Sequence, residues 1–216
     1  MSSLVLYNYF RSSTSYRVRI GLHFKNLDFE YKSVHLLKDG GEQHRAEYRQ
    51  LNPIGGVPTL VHNGKPISQS MAILEYLEET FPQNRFFPKD IYTRAKVRQF
   101  CENINADIHP LQNLKVTQYL EKNLNISPEQ KQQWLNNWIS LGLQATERIL
   151  ENAAGQFCFG DEVTAADLLL VPQVFSAERF QIDLKPFPNI QRINLECLKL
   201  DAFQKAHPTR QPDYQA

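Results

Sequence analysis

The apolar positions in the first third of the chain alternate between two kinds of spacing. Short apolar runs at 4–7 and 29–34 are typical of strands, whereas the apolar residues between 16 and 24 recur at helical spacing. A strand, a helix and a second strand are therefore predicted at the start of the chain.

A hairpin and further helices are predicted next. The polar stretch at 42–50 has helical character, and Asn63-Gly64 between two short apolar runs is a strong hairpin signal. From Gln69 the apolar residues again follow helical spacing, and this pattern ends at Phe81-Pro82. These elements predict a small α/β domain over residues 1–82.

The remaining sequence has only helical patterns. Residues 83–88 are polar and contain prolines, which is typical of a linker, and an all-helical domain is expected over 89–216. Ser127-Pro128-Glu129-Gln130 combines a cap, a first-turn proline and a capping-box glutamine, and so predicts the start of a long helix. Thr164-Ala165-Ala166-Asp167 predicts another helix start.

Composition excludes several classes of function. The chain has 216 residues and a net charge of +1, which provides no overall field for nucleic acid or an anionic membrane surface. Its three cysteines are far apart and have no Cys-x-x-Cys spacing, so neither a disulfide framework nor a zinc site is expected. Without a secretion signal or a long apolar run, we expect a soluble cytoplasmic protein with no bound metal.

The first candidate site is the run of hydroxyl residues at Ser12-Ser13-Thr14-Ser15, where the first strand gives way to the first helix. Backbone N–H groups and the helix dipole favour an anion at such a position, and a thiol bound there would ionise more readily. Helix capping alone needs one hydroxyl, and this segment has four.

A second candidate site surrounds the predicted hairpin. A cis Pro58 before an edge strand would turn the backbone of Val57 outward, where an extended peptide could pair with it. Gln69 and Ser70, at the start of the next helix, could hold a carboxylate, although a simple helix cap explains their spacing equally well.

Taken together, the order of elements, Val57-Pro58, Gln69-Ser70 and the all-helical second half resemble a glutathione transferase. Residues 12–20, Ser-Ser-Thr-Ser-Tyr-Arg-Val-Arg-Ile, are more narrowly similar to the signature of the zeta class. The resemblance runs almost end to end and includes Lys38-Asp39-Gly40-Gly41, Asn52-Pro53, Leu74 to Glu79, Leu111-Gln112-Asn113, Gly160-Asp161-Glu162, Thr164 to Asp167, Val171-Pro172-Gln173, Ala177 to Phe180 and Gln211-Pro212-Asp213.

This resemblance implies a thioredoxin-like α/β N-terminal domain that binds glutathione, an all-α C-terminal bundle that binds the substrate, and a homodimer. The hydroxyls of Ser12, Ser13 and Thr14 become the candidate catalytic groups, with Ser12 donating a hydrogen bond to the glutathione sulfur. The candidate glutathione contacts are Ser12, Gln43, Val57 with Pro58, Gln69, Ser70, His109 and Asn113. Leu114, next to Asn113, matches the same part of the family's pocket. His109 could equally be a partly buried histidine without such a role.

The family includes isomerases of 4-maleylacetoacetate and of 3-maleylpyruvate, two cis dicarboxylates. A glutathione thiolate can add reversibly to such a double bond, which then rotates. The typical zeta-class signature has Cys where this chain has Thr14, whereas the related maleylpyruvate isomerases resemble this chain in having Thr there and His-Pro at His109-Pro110. The substrate therefore stays open between the two, with 4-maleylacetoacetate as the leading expectation.

Arginines are the candidate groups for the two substrate carboxylates, because the guanidinium fork matches a carboxylate bidentately. Arg11 beside the hydroxyl run and Arg179 in Ala-Glu-Arg-Phe are the expected ligands. At least one of Arg17 and Arg19 is expected to be structural, and an acid of the helical bundle or one across a dimer interface is a candidate partner. The alternatives are a transferase or dehalogenase that acts on small α-halo acids, and a non-catalytic ligand-binding protein with the same scaffold.

Overall fold

A computed structural model of the chain describes residues 3–215, so the expected outer domain limits at residues 1 and 216 lie outside the described residues. The chain divides into two compact units. The first comprises the residues up to Arg85 together with those from Leu198 onward, and the second comprises Phe86–Cys197.

The first unit contains a four-stranded mixed sheet with strands β1 (Leu4–Asn8), β2 (Glu30–Ser33), β3 (Thr59–His62) and β4 (Lys65–Ser68) in the order β2-β1-β3-β4. Strands β1 and β2 are parallel, and the other neighbouring pairs are antiparallel. The strand that follows Pro58 is therefore an inner strand. The expectation of an edge strand at this point was wrong, because β4 of the hairpin covers the outer side of β3.

Helices α1 (Ser13–Phe24), α2 (Ala46–Leu51) and α3 (Ser70–Thr80) complete the α/β part of this unit, with short 3₁₀ helices at Lys38–Gly40 and Glu42–His44. The predicted hairpin turn is confirmed. Asn63 and Gly64 have φ angles of 50° and 79°, the paired left-handed conformation that two-residue hairpins favour.

The C-terminal segment returns to the first unit, where it forms α10 (Asp201–Ala206) and a 3₁₀ turn at Pro208–Arg210. It packs on α1: Phe203 and Ala206 are fully buried, and the Ala206 carbonyl accepts a hydrogen bond of 3.0 Å from Arg19 Nε. This division differs from the expected domain at 89–216, because the return depends on contacts almost two hundred residues apart in sequence.

The second unit is all-helical. Its helices are α4 (Ile91–Glu102), α5 (His109–Gln112), α6 (Leu114–Asn123), α7 (Pro128–Ala153), α8 (Ala165–Arg179) and α9 (Pro188–Cys197), with a π-helical segment at Asn103–Ile108. The predicted capping box of α7 is confirmed, since Ser127 and Gln130 each bond to the other's backbone. Across residues 3–215, no helix has the length and apolar character needed to span a membrane.

The start of α8 is organised by the buried carboxylate of Asp167. It accepts hydrogen bonds from Thr164 N and from Cys158 N, each of 2.8 Å. Burial raises the pKa of this carboxyl group, and the hydrogen bonds to Cys158 and Thr164 oppose that effect. Asp167 therefore ties the loop before α8 to the first turn of this helix, a structural role.

Candidate active site

The predicted hydroxyl run lies at the N-terminus of α1. Ser12 is the N-cap, its backbone is extended with φ −71° and ψ 118°, and its Oγ accepts a hydrogen bond of 3.2 Å from Ser15 N. The first turn of α1 contains no acidic side chain. The positive end of the helix dipole is thus not neutralised locally, and an anion beside Ser12 Oγ would be stabilised.

A chain of hydroxyl groups connects Ser12 to the loop before β3. Thr14 Oγ1 donates to the Val57 carbonyl over 2.9 Å, and Thr14 Oγ1 lies 2.9 Å from Ser12 Oγ. A carbonyl can only accept, so the single hydroxyl proton of Thr14 is committed to Val57, and Ser12 must donate to Thr14. The Ser12 proton is therefore the one that can rotate toward a bound sulfur.

Polar side chains from α2 and the residue after it hold the loop that contains Val57. Asn52 Nδ2 donates to the Gly56 carbonyl over 2.8 Å, and the buried Tyr48 hydroxyl donates to the same carbonyl. The Val57–Pro58 peptide bond is cis. Sequence reasoning did not assign a role to Tyr48, because an aromatic residue in a short amphipathic helix is usually only part of the core.

The other predicted pair, Gln69 and Ser70, stands at the start of α3. Gln69 is exposed and has φ 73°, an uncommon backbone conformation for a residue other than glycine. Ser70 is buried, and its Oγ accepts a hydrogen bond of 3.1 Å from Arg17 Nη1. A buried guanidinium thus lies directly behind Ser70. Sequence reasoning missed this link, since Arg17 and Ser70 are 53 residues apart.

Gln43 lies on the short 3₁₀ helix Glu42–His44 and is 7% exposed. Its Nε2 donates to the Leu36 carbonyl over 3.2 Å, while its buried Oε1 has no hydrogen-bond partner among the described residues. Gly41 is required beside it: φ is 103°, and a Cβ at this position would lie 2.5 Å from Gln43 Nε2. An unsatisfied buried acceptor is costly unless a ligand pairs with it, so Gln43 Oε1 fits an incoming N–H donor.

The two remaining arginines near the hydroxyl run have different surroundings. Arg11 is half-buried, and its guanidinium lies 5.9 Å from the centre of the Tyr9 ring. Arg19 is fully buried and donates to Asn8 Oδ1 and to the carbonyls of Tyr9, Phe10 and Ala206. Burial lowers the pKa of Arg19 to about 10, so its charge persists at neutral pH. These hydrogen bonds of Arg19 all end on neutral oxygens within the chain, which fits the structural role expected of Arg17 or Arg19.

In the second unit, His109 and Asn113 are brought together at the end of the π-helical segment. Asn113 Nδ2 lies 3.1 Å from His109 Nε2, and Asn113 Oδ1 caps α6 by accepting from Lys115 N. An amide nitrogen can only donate, so Nε2 accepts and the proton of the neutral imidazole lies on Nδ1. The hydrogen bond from Asn113 holds the His109 ring in one orientation, and the ring is partly exposed.

Arg179 is the last residue of α8. It is exposed, and its guanidinium stacks on the ring of the next residue, Phe180, at 4.2 Å from the ring centre. This stacking fixes the cation at the helix end, where an exposed guanidinium can receive an anion.

The protein's own thiols are not suited to nucleophilic chemistry. Cys101, Cys158 and Cys197 are all buried and unbridged. Burial, and then the nearby charge of Asp167, raises the pKa of both Cys158 and Cys197. No cluster of three or more potential metal ligands occurs among residues 3–215. A thiolate at the Ser12 helix start would have to come from a bound molecule.

The chain is similar to glutathione transferases in sequence and in structure. A family model for the glutathione S-transferase N-terminal domain matches residues 2–79. The maleylacetoacetate isomerase of Mus musculus is 49% identical over 209 residues, which is 97% of this chain and 94% of that protein.

Two solved structures are also similar. The holo structure of a maleyl pyruvate isomerase, described as a bacterial glutathione S-transferase of the zeta class, has a TM-score of 0.94 and 41% identity, and covers 98% of this chain and 100% of its own. The maleylacetoacetate isomerase of Methylobacterium extorquens AM1, with bound malonate and glutathione, has a TM-score of 0.94 and 37% identity with the same coverage.

The fold is that of a glutathione transferase. Within that class, the chain belongs to the family formed by the zeta-class enzymes and the maleylacetoacetate isomerases.

Proposed function

We propose that the protein is a glutathione-dependent cis–trans isomerase that converts 4-maleylacetoacetate to 4-fumarylacetoacetate. The observation that carries this proposal is Ser12, an N-cap whose rotatable hydroxyl proton stands at an un-neutralised helix N-terminus. When bound, glutathione supplies a thiolate that adds reversibly to the cis double bond and is returned unchanged after rotation. The three cysteines of the chain are buried, and burial raises the pKa of Cys158 and Cys197, so the attacking thiol is supplied by glutathione.

Several residues of the first unit fit glutathione. Ser12 donates to the sulfur, and the Val57 main chain, held by Thr14, pairs with the cysteinyl backbone. Gln43 Oε1 accepts an N–H of the tripeptide, which would satisfy this buried oxygen. Ser13 supports the turn as the first residue of α1.

The γ-glutamyl carboxylate is assigned to the start of α3. Gln69 and Ser70 present backbone and hydroxyl donors there, and the Arg17 cation behind Ser70 adds a favourable charge. His109 and Asn113 are assigned to further glutathione contacts in the second unit. The Nδ1 proton that Asn113 imposes on His109 makes this ring a donor.

Arg11 and Arg179 are the proposed ligands of the substrate carboxylates. Arg11→Gln and Arg179→Gln should each raise the KM for the dicarboxylate about tenfold and leave the KM for glutathione unchanged, because a charged hydrogen bond contributes about 1.5–3 kcal/mol. Arg192→Gln, at an exposed arginine that donates to the Gln156 carbonyl, is the matched control. Unchanged substrate KM values would refute the assignment.

The decisive experiment compares two substrates. Conversion of 4-maleylacetoacetate and of 3-maleylpyruvate is measured with and without glutathione, and glutathione itself is quantified before and after. We expect conversion only with glutathione, without net consumption, and a higher kcat/KM for 4-maleylacetoacetate. No conversion of either substrate would refute the proposal, and net loss of glutathione would identify a transferase or dehalogenase.

A second candidate substrate is 3-maleylpyruvate, which Thr14 and His109-Pro110 favour. A higher kcat/KM for this compound in the same assay would select it. We also infer a cytoplasmic homodimer, on the grounds of family membership and three unbridged cysteines. Sedimentation equilibrium tests the dimer, and a mass of one chain would refute it.

A further inference from the structure

The C-terminal segment forms hydrogen bonds to the back of the hydroxyl-bearing turn through the side chain of Asp213. Asp213 Oδ2 accepts a hydrogen bond of 3.1 Å from Phe10 N and one of 2.8 Å from Ser33 Oγ. Its other oxygen, Oδ1, accepts from the Tyr31 hydroxyl. Phe10 and Asp213 are 203 residues apart in sequence, and the contact lies within the first unit.

The peptide groups around Phe10 are held from both sides. Asp213 accepts from the Phe10 N–H, and Arg19 Nη2 donates to the Phe10 carbonyl over 3.0 Å. Arg19 also donates to the Tyr9 carbonyl, which accepts in addition from Ser12 N over 3.0 Å. The turn from residue 9 to residue 12 therefore has its main chain fixed between a carboxylate of the tail and a buried guanidinium.

Further contacts hold Asp213 itself in place. The Tyr214 ring meets the Phe10 ring edge to face, with 5.5 Å between their centres. Gln211 Nε2 donates to the carbonyls of Lys205 and His207, which closes the tail on the end of α10. Burial and the hydrogen bond to Asp213 raise the pKa of Tyr31, so its hydroxyl stays a donor to the carboxylate.

We propose that Asp213 is a positioning residue for the isomerase reaction: by fixing the Phe10 N–H it holds the turn that aims the Ser12 hydroxyl at the glutathione sulfur. Asp213 touches neither glutathione nor substrate in this role. It acts through two peptide units, from Phe10 to Ser12. The inference rests on the proposed function, because the sulfur is the target of that hydroxyl.

The turn is linked to Asp213 by a hydrogen bond to a charged acceptor, which is stronger than one to a neutral acceptor. Without it, the Phe10 N–H has to find water or another acceptor, and the Ser12 hydroxyl samples more orientations. A hydrogen bond to a thiolate is sensitive to such misalignment, because it weakens steeply with angle.

Asp213→Ala tests the inference directly. We expect the pKa of the bound glutathione thiol to rise by about one unit and kcat near neutral pH to fall about 3- to 10-fold, since one pKa unit corresponds to about a tenfold change. The KM for glutathione should stay near the wild-type value. Asp213→Asn keeps a carbonyl acceptor for Phe10 N–H and should recover at least half of both changes.

Tyr31→Phe and Ser33→Ala are matched controls. Each removes one donor to the same carboxylate and leaves the Phe10 contact in place. These variants should lower the free energy of unfolding and leave the thiol pKa unchanged. A merely structural role of Asp213 predicts that Asp213→Ala behaves like these controls, with a lower free energy of unfolding and an unchanged thiol pKa.

Amide hydrogen exchange of residues 9–15, measured without glutathione, separates this inference from the proposed function. Faster exchange in Asp213→Ala than in Tyr31→Phe is expected. If wild-type protein does not lower the pKa of bound glutathione, the proposed function fails. If wild-type protein does lower it and Asp213→Ala has the same thiol pKa, the positioning role is refuted and the proposed function stands.

A chain ending at Gln211 gives the same test if Asp213→Ala does not fold. It keeps the Gln211 side-chain hydrogen bonds to the end of α10 and loses Asp213 and Tyr214, which contact Phe10. A wild-type thiol pKa in this shortened chain would overturn the inference.

Discussion

Replacing Ser12 with alanine isolates the contribution of one hydroxyl to thiol activation. The Ser12 hydroxyl oxygen accepts a hydrogen bond of 3.2 Å from Ser15 N. Its single proton is donated to Thr14 and can rotate toward a bound sulfur instead. When this proton is donated to a thiolate, a hydrogen bond to a charged group contributes about 1.5–3 kcal/mol. At about 1.4 kcal/mol per pKa unit, Ser12→Ala should raise the pKa of the bound thiol by about 1–2 units.

The measurement is a pH titration of the thiolate ultraviolet absorbance in the glutathione complex. At saturating glutathione, the pH profile of kcat/KM for the dicarboxylate should shift by the same number of pH units. Ser12→Ala also removes the N-cap of α1, which is expected to lower the free energy of unfolding by about 1 kcal/mol. Ser127→Ala removes the N-cap of α7 and is the matched control for this loss, since it should cost similar stability without moving the thiol pKa.

A bound-thiol pKa in Ser12→Ala within experimental error of the wild-type value would refute the role of Ser12. Compensation by Thr14, whose hydroxyl lies 2.9 Å from Ser12 Oγ, is a separate outcome. The double variant Ser12→Ala/Thr14→Val detects it, because compensation predicts a larger pKa shift in the double variant than in Ser12→Ala alone.

Three further perturbations follow from contacts in the two units. Thr14→Val removes the donor to the Val57 carbonyl and should raise the KM for glutathione about 3- to 10-fold without raising the thiol pKa, as steady-state kinetics and the thiolate titration would show. Burial, followed by nearby arginine charges, lowers the pKa of His207 below its unfolded value of 6.5, so the unfolded state binds more protons. This contribution to stability is present above about pH 6.5 and is lost as the pH falls through the folded pKa. In denaturant unfolding, the free energy of unfolding should therefore fall less steeply with decreasing pH in His207→Gln than in the wild type. Gly142→Ala would place a Cβ 2.2 Å from Ile108 Cγ1 and should cost about 1–3 kcal/mol in thermal unfolding.

Each of these has an outcome that contradicts it. A wild-type KM in Thr14→Val would show that the hydroxyl does not hold Val57. If the free energy of unfolding falls equally steeply with decreasing pH in wild type and in His207→Gln, that histidine is excluded as a source of the pH dependence of stability. If the clash is with that side chain, Gly142→Ala should cost less stability in an Ile108→Ala background than in the wild-type background, and an equal cost in both would place the strain elsewhere.

Local signals in the sequence predicted most of the first unit's elements and the helix starts. Asn63-Gly64 and Ser127 to Gln130 are short motifs whose conformation is decided within four residues, and both predictions are confirmed. The N-cap geometry of Ser12 is local in the same sense. Such features depend on neighbouring backbone groups alone, so sequence is sufficient to read them.

The features that sequence did not predict depend on distant partners. Arg19 bonds to carbonyls at both ends of the chain, and Arg17 reaches Ser70 from another helix. The position of β3 inside the sheet depends on which strand pairs with which, and a short apolar run does not encode that pairing. The packing of the C-terminal segment on the first unit leaves no repeating pattern in the sequence, because a contact such as that between Asp213 and Phe10 depends on one carboxylate.

That return has a consequence for the order in which the protein is made. Residues up to Arg85 are translated before the helical unit, yet Arg19 lacks the Ala206 carbonyl and Phe10 lacks Asp213 until the C-terminal segment has been translated. The intervening helical unit, Phe86–Cys197, has all of its own segments available earlier. The half of the molecule that is synthesised first is therefore completed last, and a stalled or shortened chain would expose an unfinished thiol-activating turn to the quality-control machinery of the cell.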